Sequence, residues 1–142
     1  MSLKSVQFAV AAHIMAVLGF HEGDEIASRT LADSVQADPT FVRKSLSKLS
    51  KAGLVVTKRG KRGASVIARP ARQITLLDIY RASGAPPAFT THSYPGNKRC
   101  PVSRNIKECM SDVLSRVQDS LEKSLAKITL ADLASQIREK HR

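Results

Sequence analysis

Three kinds of side chain in this 142-residue sequence could do chemistry: cations clustered closely enough to hold a polyanion, two thiols, and four scattered imidazoles. The cations are the most unevenly placed. Residues 38–72 contain ten Lys or Arg (43, 44, 48, 51, 58, 59, 61, 62, 69 and 72) against one acid, Asp38, so +9 of the net +11 falls in this stretch. Like charges repel and add nothing to folding, so the run is either a solvated face with a lysine-rich turn or a surface for a polyanion. Its densest part, "TKRGKRGAS" (57–65), joins Lys58, Arg59, Lys61 and Arg62 to two glycines. Glycine accepts positive φ and lets backbone approach a phosphate closely, and cations there gain free energy by displacing counterions condensed on DNA. Catalysis has no comparable support. His13, His21, His92 and His141 lack metal-site spacing, "GKRGAS" lacks Walker spacing, and no Ser/His/Asp or paired-carboxylate grouping stands out. The chain therefore reads as a binding protein and not an enzyme, with no metal site and no cofactor expected.

The elements that must position these cations follow from apolar spacing. Residues 5–18 place Val6, Val10, Ile14, Val17 and Leu18 on one helical face. This run resembles a signal peptide, but Gln7 and His13 interrupt it, it is too short to span a bilayer, and "HEGDE" stands where a cleavage site belongs. It reads as a buried first helix in a cytoplasmic chain without a membrane segment, whose two cysteines are normally reduced. "SRTLADSV" (28–35) is a short helix capped by Ser28. Asp38 is a suitable N-cap for a third helix, 39–52, with Pro39 at its first position; Val42, Leu46 and Leu49 are buried and Gly53 ends it. "LVVTK" and "SVIAR" flank "RGKRGA" as a hairpin, and "TLLDIYRA" begins with a small capping box, Thr75 to Asp78.

Helix, helix, turn, helix, hairpin is the order of a winged helix-turn-helix, here in a mainly α fold with a small β-hairpin. In that motif the second helix of the pair enters the major groove and its N-terminal residues touch base edges. On helix 39–52 the face opposite the apolar stripe carries Thr40, Arg43, Lys44, Ser47 and Lys51. Thr40, Arg43 and Lys44 are the expected base readers, since Arg43 can pair bidentately with guanine. Ser28, Ser47, Lys48 and Lys51, with Lys58, Arg59, Lys61 and Arg62 of the hairpin, are expected to touch the backbone of double-stranded DNA, orienting the protein without reading sequence. The absence of Trp and the scatter of six aromatics argue against a base-stacking platform for single strands.

The stretch "TLADSVQADPTFVRKSLSKLSKAGLVVTKRGKRGASVIARPARQITLLDIYRA" closely resembles the DNA-binding core of the Rrf2 family of bacterial winged-helix regulators. "KAGLV", the "RG..G" before an "ARP" strand end, and "ITLLDI" are its most specific parts, and the likeness runs from about Ser5 through "KRCPVSRNI" into the C-terminal region. The family includes the iron–sulfur-cluster regulator and nitric-oxide-sensing repressors. The resemblance implies a homodimeric transcription factor, usually a repressor, on a palindromic operator. It places Thr40, Arg43 and Lys44 at base-reading positions and Arg59 to Arg62 in the wing. Cluster-binding relatives use three closely spaced cysteines in the loop before the long helix. This chain has two, Cys100 and Cys109, with His92 a distant third donor.

From Ile106 an apolar seam runs through Met110, Val113, Leu114, Val117, Leu121, Leu125 and Ile128 at spacings of three and four. Such a seam packs either onto the chain's own winged helix or onto a second copy. A helix this long outruns a small domain, which favours a homodimer. A final helix, 130–141, follows Thr129 with Leu130, Leu133 and Ile137 as its buried positions. Three units result: 1–85 for DNA, a loop at 86–103 that is a candidate sensor, and 104–142 for dimerisation. Cys100 stands before Pro101 at the start of a helix over 103–128, beside Lys98, Arg99 and Arg104, a setting that favours the nucleophilic thiolate. Nine residues of helix carry Cys109 half a circle round and about 13 Å along, beyond disulfide reach within one chain. Three readings stand side by side: a redox switch at Cys100, an iron–sulfur cluster, which the pair of thiols disfavours, and cysteines that merely pack. A non-specific nucleoid protein is the alternative to a sequence-specific regulator.

Overall fold

The computed structural model describes residues 6–58 and 63–142, so the roles expected of Arg59, Lys61 and Arg62 lie outside the described residues. The first helix, α1 (Val6–Phe20), is the centre of the molecule. It buries Ala11, Ile14, Met15, Ala16, Leu18 and Gly19. The predicted stripe is only partly matched: Ile14 and Leu18 are buried, whereas Val6, Val10 and Val17 are half-buried. Helices pack on α1 from several sides, so burial spreads around it rather than along one stripe.

A two-residue strand, β1 (Ile26–Ala27), leads directly into α2 (Ser28–Val35). The expected Ser28 cap is corrected here. Ala27 occupies the cap position without a side-chain bond, and Ser28 is already helical. The entry is held instead by strand pairing, Ile26 with Ser65 and Ala27 with Ala64, and by the Ser28 N–H donating to the Gly63 carbonyl at 3.3 Å. At the start of α3 (Pro39–Lys51), Asp38 accepts from the Thr40 N–H at 2.7 Å. That bond satisfies one of the amides a helix start leaves unpaired. Val42, Leu46 and Leu49 face inward at 0%, 5% and 0% exposure. The helix closes at Ala52, and Gly53 follows with φ +78°, a conformation that side chains rarely adopt.

The hairpin strands β2 (Val55–Lys58) and β3 (Ala64–Ile67) pair antiparallel, Val55 with Ile67 and Lys58 with Ala64, giving a sheet of order β1-β3-β2. A single 3₁₀ turn (Ala71–Gln73) leads to α4 (Leu76–Ala82), whose Thr75/Asp78 capping box is complete in both directions.

The loop 83–100 precedes a 26-residue helix, α5 (Pro101–Ala126), none of whose residues is buried. The last helix, α6 (Leu130–His141), begins with a second capping box, Thr129/Asp132, and returns to the core. There Leu130 and Ala134 are buried against α1, and a Cβ built on Gly19 would meet Leu130 Cγ at 2.9 Å. Only glycine lets the two helices approach this closely. The predicted burial of Ile137 is corrected: it is exposed and Leu133 is half-buried. One turn beyond Ala134 the end of α1 has been reached, marked by Arg138 Nη2 donating to the Phe20 carbonyl at 2.7 Å. Ile137 therefore has less of α1 to cover it.

Candidate nucleic-acid interface

The rotation of α3 is set by what it buries. With Val42, Leu46 and Leu49 in the core, Thr40, Arg43, Lys44, Ser47 and Lys51 must face out, and all five are exposed. No Asp or Glu lies on the helix itself. The basic side chains near the helix end sit where they complement its negative pole. Arg43 Nη2 lies 3.4 Å from Thr40 Oγ1, so the two side chains form one unit on the first turn. A free guanidinium edge there can form paired bonds with a guanine.

Two grooves flank this face. On the hairpin side a cavity of about 390 Å³ is lined by Ser28, Arg43, Leu46, Ser47, Ser50, Lys51, Thr57 and Gly63. It thus unites α2, α3 and the hairpin, bringing Ser28, Arg43, Ser47 and Lys51 together. On the other side a cavity of about 380 Å³ is lined by Gln7, Phe41, Lys44, Ser45, Lys48, Lys51 and Ser83, among others. Three lysines here lie between α3, the first turn of α1 and the end of α4. Lys48 Nζ donates to the Ser83 carbonyl at 3.4 Å, which draws its ammonium toward α4. Gln7 Oε1 is buried and without a partner in the wall of this groove. Nothing in local spacing marks Gln7, Phe41 or Ser83 as site residues; Gln7 and Ser83 reach the groove beside Phe41 of α3 only through tertiary packing. On the hairpin, Lys58 Nζ pairs with Glu25 Oε1 at 2.6 Å, both partly exposed. This exposed pair lies beside the strand that leads into the turn.

The predicted seam on α5 divides. Met110, Val113 and Val117 are exposed at 38%, 46% and 40%, Ile106 is half-buried beside them, and Val102, at 67%, extends the stripe toward the helix start. Leu114, Leu121 and Leu125 are half-buried on the flank that carries Gln118 and Glu122 toward α4. Ile128 lies past the end of α5 in the turn to α6, partly exposed. The loop follows α5 back along its length: the Ala88 N–H donates to Gln118 Oε1 at 3.0 Å, Lys107 Nζ to the Tyr94 carbonyl, and the Asn97 N–H to Ser103 Oγ at 2.6 Å.

Both cysteines are free thiols. Cys100 is the N-cap of α5 and half-buried, its Sγ accepting from the Ser103 N–H at 3.5 Å. Cys109 is exposed about two and a half turns further along the same helix. His92 is engaged locally, its Nδ1 accepting from the Tyr94 N–H at 3.2 Å.

Comparison with known proteins agrees with this geometry. The Rrf2 family model, described as an iron-dependent transcriptional regulator, matches residues 4–136. YwnA of Bacillus subtilis (strain 168), designated an HTH-type transcriptional regulator, is 34% identical over 132 residues, covering 92% of this chain and 96% of YwnA. Among solved structures, a chain from Lactobacillus plantarum designated a transcriptional regulator superposes with a TM-score of 0.77 at 28% identity, covering 94% of this chain and 90% of its own. CymR, the global cysteine regulator of Bacillus subtilis, superposes at 0.67 and 23% identity over 96% of both chains and shares the fold. Cys100 and Cys109 stand about 13 Å apart along one helix, and among the described residues no three His, Cys, Asp or Glu group to hold a metal. The matched family, the close YwnA relative and the exposed basic helix with its hairpin lead to one assignment: the chain belongs to the Rrf2 family of transcriptional regulators.

Proposed function

We propose that the chain is a homodimeric repressor that recognises an inverted-repeat operator in double-stranded DNA and acts in the cytoplasm by excluding polymerase. The observation that carries this reading is the shared wall of α3 and the hairpin: Arg43, Ser47 and Lys51 line one groove with Ser28, Thr57 and Gly63. A surface built this way meets a major groove and the phosphates beside it in one rigid docking. Thr40, Arg43 and Lys44 read bases. Ser28, Ser47, Lys48, Lys51, Lys58 and the turn cations hold phosphates, releasing condensed counterions as they do. The open stripe Val102–Met110–Val113–Val117 supports the second half of the proposal. A second copy laid on it removes apolar surface from water and sets two recognition helices about 34 Å apart, one turn of DNA.

In this reading the regulator uses no iron–sulfur cluster, because within one protomer Cys100 and Cys109 lie about 13 Å apart along α5, too far for both to reach one. Its response is redox chemistry at Cys100, whose sulfur caps α5. Attack of the thiolate on hydrogen peroxide forms an S–O bond as the O–O bond breaks, giving the sulfenic acid and hydroxide and placing an oxygen on the sulfur that accepts from the Ser103 N–H.

Four outcomes follow. In binding assays on a site obtained by in vitro selection, Arg43→Ala should cost about 1–3 kcal/mol and relax preference at one base pair. Lys51→Ala should weaken all sequences alike and lower the salt slope by about one; an Arg43→Ala protein with unchanged preference contradicts the base-reading role, and a wild type that selects no motif favours a nucleoid protein. The double substitution Met110→Asp with Val113→Asp should give a folded monomer by sedimentation, and a dimer that persists contradicts the seam. Peroxide should weaken operator binding by the wild type and leave Cys100→Ser unaffected; equal loss in both excludes Cys100 as the sensor.

A further inference from the structure

The DNA-binding unit is joined to α5 at two separate places. The first is at the end of the long helix. Thr75 bridges Thr129, the Leu76 N–H donates to the Ile128 carbonyl at 2.8 Å, and the Leu130 N–H donates to the Ile74 carbonyl at 2.8 Å. The second lies ten residues back along α5, about 15 Å away. There Gln118 Nε2 donates to Tyr80 Oη at 2.9 Å and to Glu122 Oε2 at 3.2 Å, while Gln118 Oε1 accepts from the Ala88 N–H at 3.0 Å. The Tyr80 hydroxyl donates to the Pro86 carbonyl at 3.0 Å, and its ring stands edge-on to Phe8 of α1 at 5.3 Å. Arg81 and Glu122 pair alongside at 3.1 Å. One phenol and one carboxamide thus tie α1, α4, the following loop and α5 together, with the donors and acceptors of both groups in use. A polar network satisfied this fully fixes one arrangement rather than several.

Two attachments do what one cannot. A single junction lets a rod swing, whereas a second, well separated along it, fixes its direction. Releasing the Tyr80–Gln118 junction by about one hydrogen-bond length, ~3 Å, over a ~15 Å arm permits a swing of about 10°. The centre of the open stripe, near Met110 and Val113, lies about 25 Å from the first junction. It would shift by about 5 Å relative to the same protomer's recognition helix, more than the ~3.4 Å rise of one base step.

We infer that Tyr80 and Gln118 are positioning residues that set which half-site spacing the dimer accepts, without touching DNA. This rests on the dimeric, operator-binding reading above. The hydroxyl and carboxamide hold the angle between recognition helix and two-fold contact, and the Phe8 ring backs the phenol from the core side.

The test uses the full-length protein carrying Tyr80→Phe, which keeps the ring against Phe8, and separately Gln118→Leu. Each is measured on the selected palindrome, on the same palindrome with one or two base pairs added or removed between half-sites, and on an isolated half-site. Half-site affinity should stay within about twofold of wild type, because the α3 face is untouched. The wild-type preference for the optimal spacing over its one-base-pair neighbours should shrink at least severalfold. A preference retained in both variants overturns the inference, and so does half-site binding that falls in step with full-site binding, which makes the pair part of general stability. A wild type with no spacing preference removes the dimeric reading and the inference with it. If Gln118→Leu does not fold, Tyr80→Phe decides alone.

Discussion

The inward stripe of α3 is the constraint on which the rest of the molecule depends. Fully burying side chains such as Val42, Leu46 and Leu49 is worth roughly 1.5–3 kcal/mol each, so turning the helix about its axis forfeits several kcal/mol. The opposing force is small. Lys44, Lys48 and Lys51 repel one another at helical spacing by only a few tenths of a kcal/mol per pair, and salt screens much of that. Burial therefore wins, and the cations are held outward against their own repulsion. One core stripe thereby presents a basic, exposed face, and an anionic partner of the kind proposed above would relieve its repulsion.

The same core organises the C-terminal part of the chain. Leu130 enters it from α6, over the gap left at Gly19, so the last helix belongs to the packing of the first. Between them α5 is left outside, touching the rest of the chain through α4 and the loop but burying nothing completely. A 26-residue helix with an apolar stripe in solvent is costly for a lone protomer. In the dimer proposed above, that exposure is where a second copy would bind, and the attachment of α5 to α4 would fix the angle of that copy to α3.

Much of this was legible in the sequence where the signal was local. Asp38 and Pro39 announce the start of α3 and Thr75 with Asp78 that of α4, and both caps form; the strands on either side of the glycine-rich basic stretch pair as a hairpin. What the sequence does not carry is tertiary. A two-residue strand carries no periodicity, so nothing local in the sequence marks β1, and a cap at Ser28 is the local reading where strand pairing in fact holds the helix start. Ile137 has helical spacing from Leu130 but lies beyond the end of its partner helix. The α5 seam is continuous in sequence, yet in the fold Leu121 and Leu125 are partly out of solvent while Met110, Val113 and Val117 stay open. Gln7 and Ser83 reach the lysine-lined groove only through folding.

The most direct test of the claim that α3 and the hairpin act as one DNA-facing surface is a residue-by-residue footprint. Backbone amide shifts of the ¹⁵N-labelled protein are followed while its selected duplex is added. The account predicts changes concentrated at Thr40 to Lys44, at Lys51, at Ser28 and on the hairpin at Thr57, Lys58 and Gly63, with the open face of α5 unaffected. Changes centred on α5 or α6, with the first turn of α3 silent, would contradict it.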